Sequence, residues 1–293
     1  MITPWSPAQA AACIATPAAS SDKYRRGVLG VRTGSAEYPG AAVLGVEAAW
    51  RAGVGMVRYV PPLGDALPGL GLPAPAAAVL AARPETVFAG GDAARAARCD
   101  AWLTGSGTDP ASRSFVEREA LHALFAGDAP LVVDAGALPE LADPAARIHA
   151  PTAITPHAGE FLGLWRAAGL GESAPDAADA APALAERLGA TVLLKGSVST
   201  VATPGGFTAA VGPATPWLAT AGTGDVLAGI LGALAATHAG ALRDDPESFG
   251  PLAASAALLH DLAARHASRG GRAPIVALDV ALALPAVIAE LLG

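Results

Sequence analysis

Two rhythms of apolar residues alternate along the 293-residue chain. Short, mostly apolar runs recur at 27–31, 56–60, 101–103, 131–134, 153–155 and 191–194, most of them leading into Thr, Asp or Lys and 56–60 into Pro-Pro. Such runs, bounded by turn residues, read as strands. Between them lie longer stretches with apolar positions three and four apart, the spacing of helices. The pattern predicts helices over about 41–52, from a cap at Ser112 to Ala126, after His157, up to Leu188, and through the stretch that begins after Gly222. Two more follow at 252–267 and 276–292, the last with Pro285 as a kink or break. Short strands are also expected at 77–81, 87–88, 200–202 and 207–211, with Gly205-Gly206 turning the last pair. The Pro- and Gly-dense 61–75 reads as a loop, and 171–182 as a surface excursion. Strand–helix alternation implies a parallel sheet covered on both faces. The expected fold is α/β, a three-layer αβα domain over 23–293 around a central, mostly parallel sheet, with 1–22 as an arm or short helix.

Composition narrows the classes of function. The chain is 52% hydrophobic and 15% charged with a net charge of −7, which argues against a nucleic-acid or anionic-membrane binder. A small phosphorylated ligand held locally is still compatible. Cys13 and Cys99 make no disulfide framework, so free buried thiols in a reducing compartment are expected. The start, MITPWSPAQA, lacks the basic opening of a secretory signal. The apolar run 226–242 contains His238 and is flanked by Asp225 and Arg243-Asp244-Asp245, so it reads as a buried core helix rather than a membrane span. A cytoplasmic protein without a membrane partner is the expectation.

The stretch WLATAGTGDVLAGILGALAA, 217–236, organises the candidate chemistry. Glycines at the start of a helix leave the first N–H groups bare, and with the helix dipole these make an anion site at Gly222, Thr223 and Gly224. Asp225 stands in the same first turn; it is either a working carboxylate or a favourable N-terminal acid. Other strands end in Thr33-Gly34-Ser35, Thr104-Gly105-Ser106-Gly107, Asp134, Thr155-Pro156-His157 and Lys195-Gly196-Ser197. Ligands of open α/β sheets lie at the carboxyl ends of strands, so these clusters should converge. Lys195 either neutralises a phosphate or is a solvated lysine. His157 either orients a ligand or bonds its own loop, and Asp134 either holds a metal through water or caps a turn. The other histidines, His122, His149, His238, His260 and His266, show no ligand pattern, and no metal-ligand set is assigned. A P-loop and a nucleophile elbow are both absent.

Gly222-Thr223-Gly224-Asp225 followed by Val-Leu-Ala-Gly resembles the anion-hole and catalytic-Asp motif of the ribokinase-like superfamily. With Lys23-Tyr24-x-Arg26-Gly27, Tyr38-Pro39-Gly40-Ala41-Ala42-x-Leu44, Thr155-Pro156-His157-x-Gly159-Glu160 and Leu194-Lys195-Gly196, the set is similar to the ADP-dependent (S)-NAD(P)H-hydrate dehydratases, over about 23–240 and in their stand-alone form. The resemblance implies a metabolite-repair lyase that restores NADH or NADPH from the S epimer of its hydrate, with ADP as co-substrate and AMP and phosphate released. It implies that Ala41, Gly107, His157 and Asp225 contact the hydrate. It also implies that Lys195, Gly196, Ser197, Val198, Ser199 and Gly224 contact the nucleotide, with Asp225 catalytic. Mg2+ and a homotetramer are implied as well. Gly136 stands where many relatives carry a second Asp, and Ser199 where Thr is more usual. The alternatives are a small-molecule alcohol kinase of the same superfamily and a nucleotide-binding sensor without turnover.

Overall fold

Strand β2 (Val28–Arg32) is buried at all five positions. A strand covered on both faces needs a helical layer above and below it. The structure, a computed structural model, describes residues 3–63, 71–90, 98–143 and 145–293. Within them the other strands are β1 (Thr3–Pro4), β3 (Met56–Tyr59), β4 (Val87–Phe88), β5 (Ala101–Thr104), β6 (Leu131–Val133), β7 (Thr152–Ile154), β8 (Thr191–Leu194), β9 (Ser199–Ala202) and β10 (Thr208–Val211). They form one sheet in the order β1-β10-β9-β8-β7-β6-β5-β2-β3-β4. Every pair from β4 to β8 is parallel. The pairs β8–β9 and β9–β10 are antiparallel, and β1 adds to β10 in parallel.

The helices are α1 (Pro7–Ala12), α2 (Pro39–Arg51), α3 (Pro75–Ala82), α4 (Phe115–Phe125), α5 (Ala158–Ala167), α6 (Ala177–Leu188), α7 (Thr223–Thr237), α8 (Ala239–Asp244), α9 (Phe249–Ala267) and α10 (Ala277–Leu292). Successive side chains of a strand point to opposite faces. Leu29, Leu103, Val132, Ala153 and Leu193 therefore join the core with α2, α7, α9 and α10. Their neighbours Trp102, Leu131, Val133, Ile154 and Val192 join a second core with α4, α5 and α6. This is the expected three-layer, mostly parallel architecture.

Several local expectations change. Residues 77–81 are not a strand but part of α3, because Pro75 at its first turn and five alanines favour a helix. Ser114, not Ser112, caps α4, its Oγ accepting from the Glu117 N–H at 3.1 Å. Helix α6 starts inside the expected excursion and carries Pro182, and α10 stays helical through Pro285. Part of the expected 61–75 loop, 64–70, lies outside the described residues, as do Met1 and Ile2 of the arm. Near the start, a Ser6 capping box opens α1, and Trp5 Nε1 donates to Ser255 Oγ at 3.0 Å. Cys13 and Cys99 are free but half-buried rather than buried. Among the described residues no helix is long and apolar enough to cross a membrane.

Helix α7 is central because it is slim. It is buried from Val226 to Ala236, and a Cβ at Gly229 would sit 2.4 Å from the Gly45 carbonyl oxygen on α2. Gly229→Ala should therefore destabilise the protein by about 1–3 kcal/mol, the range for overpacking. Gly240→Ala, with nothing within 4 Å, is the control and should change stability by less than about 1 kcal/mol in urea unfolding.

Candidate active site

The carboxyl ends of four adjacent strands meet at Asp134. Its Oδ1 accepts from Thr155 Oγ1 at 2.7 Å and from Lys195 Nζ at 3.0 Å, and its Oδ2 from Ser106 Oγ at 2.8 Å. These residues follow β6, β7, β8 and β5. Asp134 is 1% exposed and caps nothing. The turn-capping reading of it therefore does not hold, and its three hydrogen bonds leave one lone pair on Oδ2. Lys195 is not an ordinary solvated lysine either. Its side chain is 20% exposed, ion-paired to Asp134, with Glu160 Oε2 at 3.9 Å.

His157 and Lys195 pair as an isolated parallel bridge, with the Lys195 N–H donating to the Pro156 carbonyl at 2.8 Å. His157 is the N-cap of α5. Its Nδ1 accepts from the N–H groups of Gly159 and Glu160, and Glu160 Oε2 accepts from the His157 N–H at 2.8 Å. A ring whose Nδ1 accepts carries its hydrogen on Nε2 when neutral. That nitrogen lies 3.3 Å from Glu160 Oε1, in an exposed side chain beside Lys195.

Helix α7 enters through Gly222, whose φ of +88° suits glycine, and no side chain caps it. Thr223 pins the turn, its Oγ1 donating to the carbonyls of Leu218 and Thr220 at 2.8 and 2.9 Å. The first-turn N–H groups are therefore offered without a side-chain acceptor, the arrangement that binds anions. Asp225 is half-buried in this turn. Burial pushes its carboxyl up to about 7, the Asp134 charge adds to the rise, and Lys195 opposes it. Desolvation thus outweighs the helix dipole, which would favour the carboxylate.

A cavity of about 380 Å³ flanks this turn, its wall including Lys195, Gly196, Ser197, Ser199, Thr223 and Gly224. Val198 is exposed and not part of that wall, and neither is Asp225. The strand order reverses between β5 and β2, the usual ligand position in such sheets. There Gly107, at φ +66°, approaches Ala41 so closely that a Cβ would lie 2.4 Å from the alanine methyl. Helix α2, which carries Ala41, runs past Asp225: a Cβ on Gly45 would be 3.8 Å from the Asp225 carbonyl oxygen. Asp225 therefore borders α2 on one side and the field of Lys195 and Asp134 on the other.

At Gly136 a Cβ would lie 2.0 Å from the Thr108 carbonyl oxygen, so the loop as folded has no room for an aspartate. Among the described residues, His122, Glu140 and Asp143 form a cluster with metal-ligand potential, but Arg113 and Arg118 already pair with Glu140. The cluster shares no residue with the cavity. Sequence reasoning passed over His260 and Thr215, which line the cavity from α9 and the turn after β10. The signal for His260 is the polar pair His260-Asp261 inside a helical run of Ala and Leu, Ala-Leu-Leu-His-Asp-Leu-Ala.

A family model described as NAD(P)H-hydrate dehydratase matches residues 29–282. The chain is 45% identical over 226 residues to the bifunctional NAD(P)H-hydrate repair enzyme of Mycobacterium tuberculosis, covering 75% of this chain and 43% of that protein. It thus spans less than half the length of that relative. It is 39% identical over 235 residues to the ADP-dependent (S)-NAD(P)H-hydrate dehydratase of Xanthomonas campestris, covering 77% of this chain and 78% of that one. The fold matches an ADP/ATP-dependent NAD(P)H-hydrate dehydratase of Bacillus subtilis co-crystallised with ATP and Mg2+, at TM-score 0.79, 24% identity and 99% coverage of both chains. It also matches a ribokinase-like superfamily protein of Enterococcus faecalis at TM-score 0.79 and 20% identity, over 99% of this chain and 96% of that one. With a ribokinase-like fold and a match over most of its length, the chain belongs to the NAD(P)H-hydrate dehydratase family.

Proposed function

We propose that the chain dehydrates the S epimer of hydrated NADH or NADPH, using ADP and releasing AMP and phosphate. The observation that carries this reading is Asp225, a carboxyl near pKa 7 in the first turn of an uncapped helix, beside a lysine-lined cavity. ADP would occupy the cavity, with Lys195, Gly196, Ser197, Ser199 and Gly224 around it and Val198 at its outer edge. The hydrate would lie across Ala41, Gly107 and His157, its hydroxyl toward Asp225.

Asp225 takes the hydroxyl proton as the oxygen attacks the β-phosphorus, and the bond to the AMP oxygen breaks. The ring nitrogen then expels the new ester as phosphate, and loss of a proton from the adjacent carbon restores the ring double bond. Hydroxide is a poor leaving group and phosphate a good one, which gives a dehydration its reason to consume a nucleotide. The N–H groups at Gly222, Thr223 and Gly224 would stabilise the charge growing on the transferred group, about 3–4 kcal/mol per donor in comparable oxyanion sites. The residues fit Mg2+ as an ion carried by the nucleotide. Asp134, which keeps a lone pair on Oδ2, Asp225 and Glu160 would meet its waters. Bound there, it would neutralise phosphate charge. A homotetramer in the cytoplasm completes the reading. Leu278 and Leu282, exposed on α10, offer apolar surface for such an assembly.

Four tests bear on the proposal. Hydrated NADH should regain NADH absorbance with ADP, whereas phosphorylation of an added alcohol by ATP, without NADH recovery, would instead support the kinase. Asp225→Asn should retain ADP binding by calorimetry and lose roughly 10²–10⁴-fold in kcat, the contribution of a positioned base. Because the base must be ionised, kcat/KM should climb with pH and level off above about 7. The same carboxyl binds its proton more tightly folded than unfolded, so its stabilising effect is full below its unfolded value of 3.8 and is lost as pH rises through about 7. The Tm advantage of Asp225→Asn over wild type should accordingly grow from pH 5 to pH 8.

A further inference from the structure

The cavity beside Lys195 contains two buried groups that the proposed chemistry leaves idle. His260 is 7% exposed, lines the cavity, and has no hydrogen-bond partner for Nε2 among the described residues. Thr215, 4% exposed on the same wall, has an unpartnered Oγ1. Buried polar atoms are nearly always satisfied in native proteins. Two that share one cavity wall mark where the polar atoms of a ligand belong.

The ring's chemistry says what kind of atom. Burial, helped by the Lys195 charge, holds the His260 ring neutral, with its pKa lowered to about 4, and the Thr223 backbone, an acceptor toward the ring, opposes the fall. A neutral ring that turns its hydrogen to that acceptor through Nδ1 leaves a lone pair at the unpartnered Nε2. A lone pair accepts, and a fully ionised phosphate has nothing to donate. The group opposite must carry an N–H or O–H. Thr215 is held firmly in place beside it. Its N–H donates to Asp261 Oδ1 at 2.8 Å, and Asp261 Oδ2 is held by Arg265 Nε at 2.8 Å. The surrounding wall is apolar, from Val211, Ala214, Pro216, Leu218 and Ala257, which suits a flat base or a sugar rather than a phosphate chain.

We propose that His260 and Thr215 are specificity-determining residues for the nucleoside half of the nucleotide, His260 Nε2 accepting a hydrogen bond from the exocyclic amine of the base or from a ribose hydroxyl. This rests on the nucleotide reading of the cavity, with Lys195 and the first turn of α7 at the phosphate end.

Calorimetric titration of wild type and His260→Leu with ADP, inosine diphosphate, 2′-deoxy-ADP and 3′-deoxy-ADP is the test. Wild type should bind ADP roughly tenfold or more tighter than the one analogue lacking the donor that His260 reads, the size expected for an unmade buried hydrogen bond. Loss of discrimination against inosine diphosphate identifies the amine, and against a deoxy analogue the hydroxyl. In folded His260→Leu, ADP and that analogue should bind alike, with ADP weakened by about the same factor. Equal wild-type affinities for all four ligands, or unchanged discrimination in the variant, would overturn the assignment and leave the dehydratase reading intact. Failure of wild type to bind any of them would overturn both. A measurement without any variant guards against misfolding: the wild-type His260 Nε2 nitrogen resonance should move on adding ADP and not on adding pyrophosphate. An unmoved resonance with ADP bound also sinks the proposal.

Discussion

One buried carboxylate holds the working edge of the sheet together. Asp134 receives Ser106, Thr155 and Lys195, so residues after β5, β6, β7 and β8 are tied at a single point. Hydrogen bonds to a charged group contribute about 1.5–3 kcal/mol each, but burying an ion pair costs much of that back. The arrangement is therefore better understood as fixing geometry than as adding net stability. It sets where the lysine amine can be, and with it the distance between that amine and the first turn of α7. Burial raises the pKa of Asp225 most, and the same Asp134 carboxylate adds to the rise, so the structural tie also tunes the proposed base.

Helix α7 must satisfy two demands at once. Its middle has to pass close to α2, which needs Gly229, and its start has to present bare N–H groups, which needs Gly222 in a left-handed turn. Small residues meet both demands, because a bulky one in the middle would lift the helix off α2 and move its first turn away from Lys195. The length of the helix, Thr223–Thr237, lets the buried part anchor the exposed tip.

These demands also explain what the sequence could and could not reveal. The glycine-rich opening of α7 is local, and its residues are adjacent, so the anion site and Asp225 are readable from one segment. The central strands are readable because burial on both faces leaves continuous apolar runs. Residues 77–81 read as a strand because Ala-Ala-Val-Leu-Ala has no period, and only Pro75 just before them distinguishes helix from strand. Asp134 reads as a cap or a metal ligand because its three partners lie 21 to 61 residues away, brought together by parallel crossovers that no local pattern encodes. His260 carries no ligand pattern for a similar reason: the cavity it lines is assembled from β8, the turn after β10, and α7.

Charge balance at the cleft bears on how the proposed reaction can proceed. Asp134, Asp225 and Glu160 stand against Lys195, while His157 Nδ1 accepts from the N–H groups of its own helix start. Asp134 already takes most of the lysine's field. A diphosphate arriving at this edge would raise the pKa of Asp225 further, away from the ionised form that a base needs. Bare helix N–H groups amount to roughly half a positive charge, too little to offset it. In the proposed reaction the nucleotide would therefore bring its own countercharge, and a hydrated divalent cation on the phosphates would supply it, keeping Asp225 ionised once the nucleotide is bound.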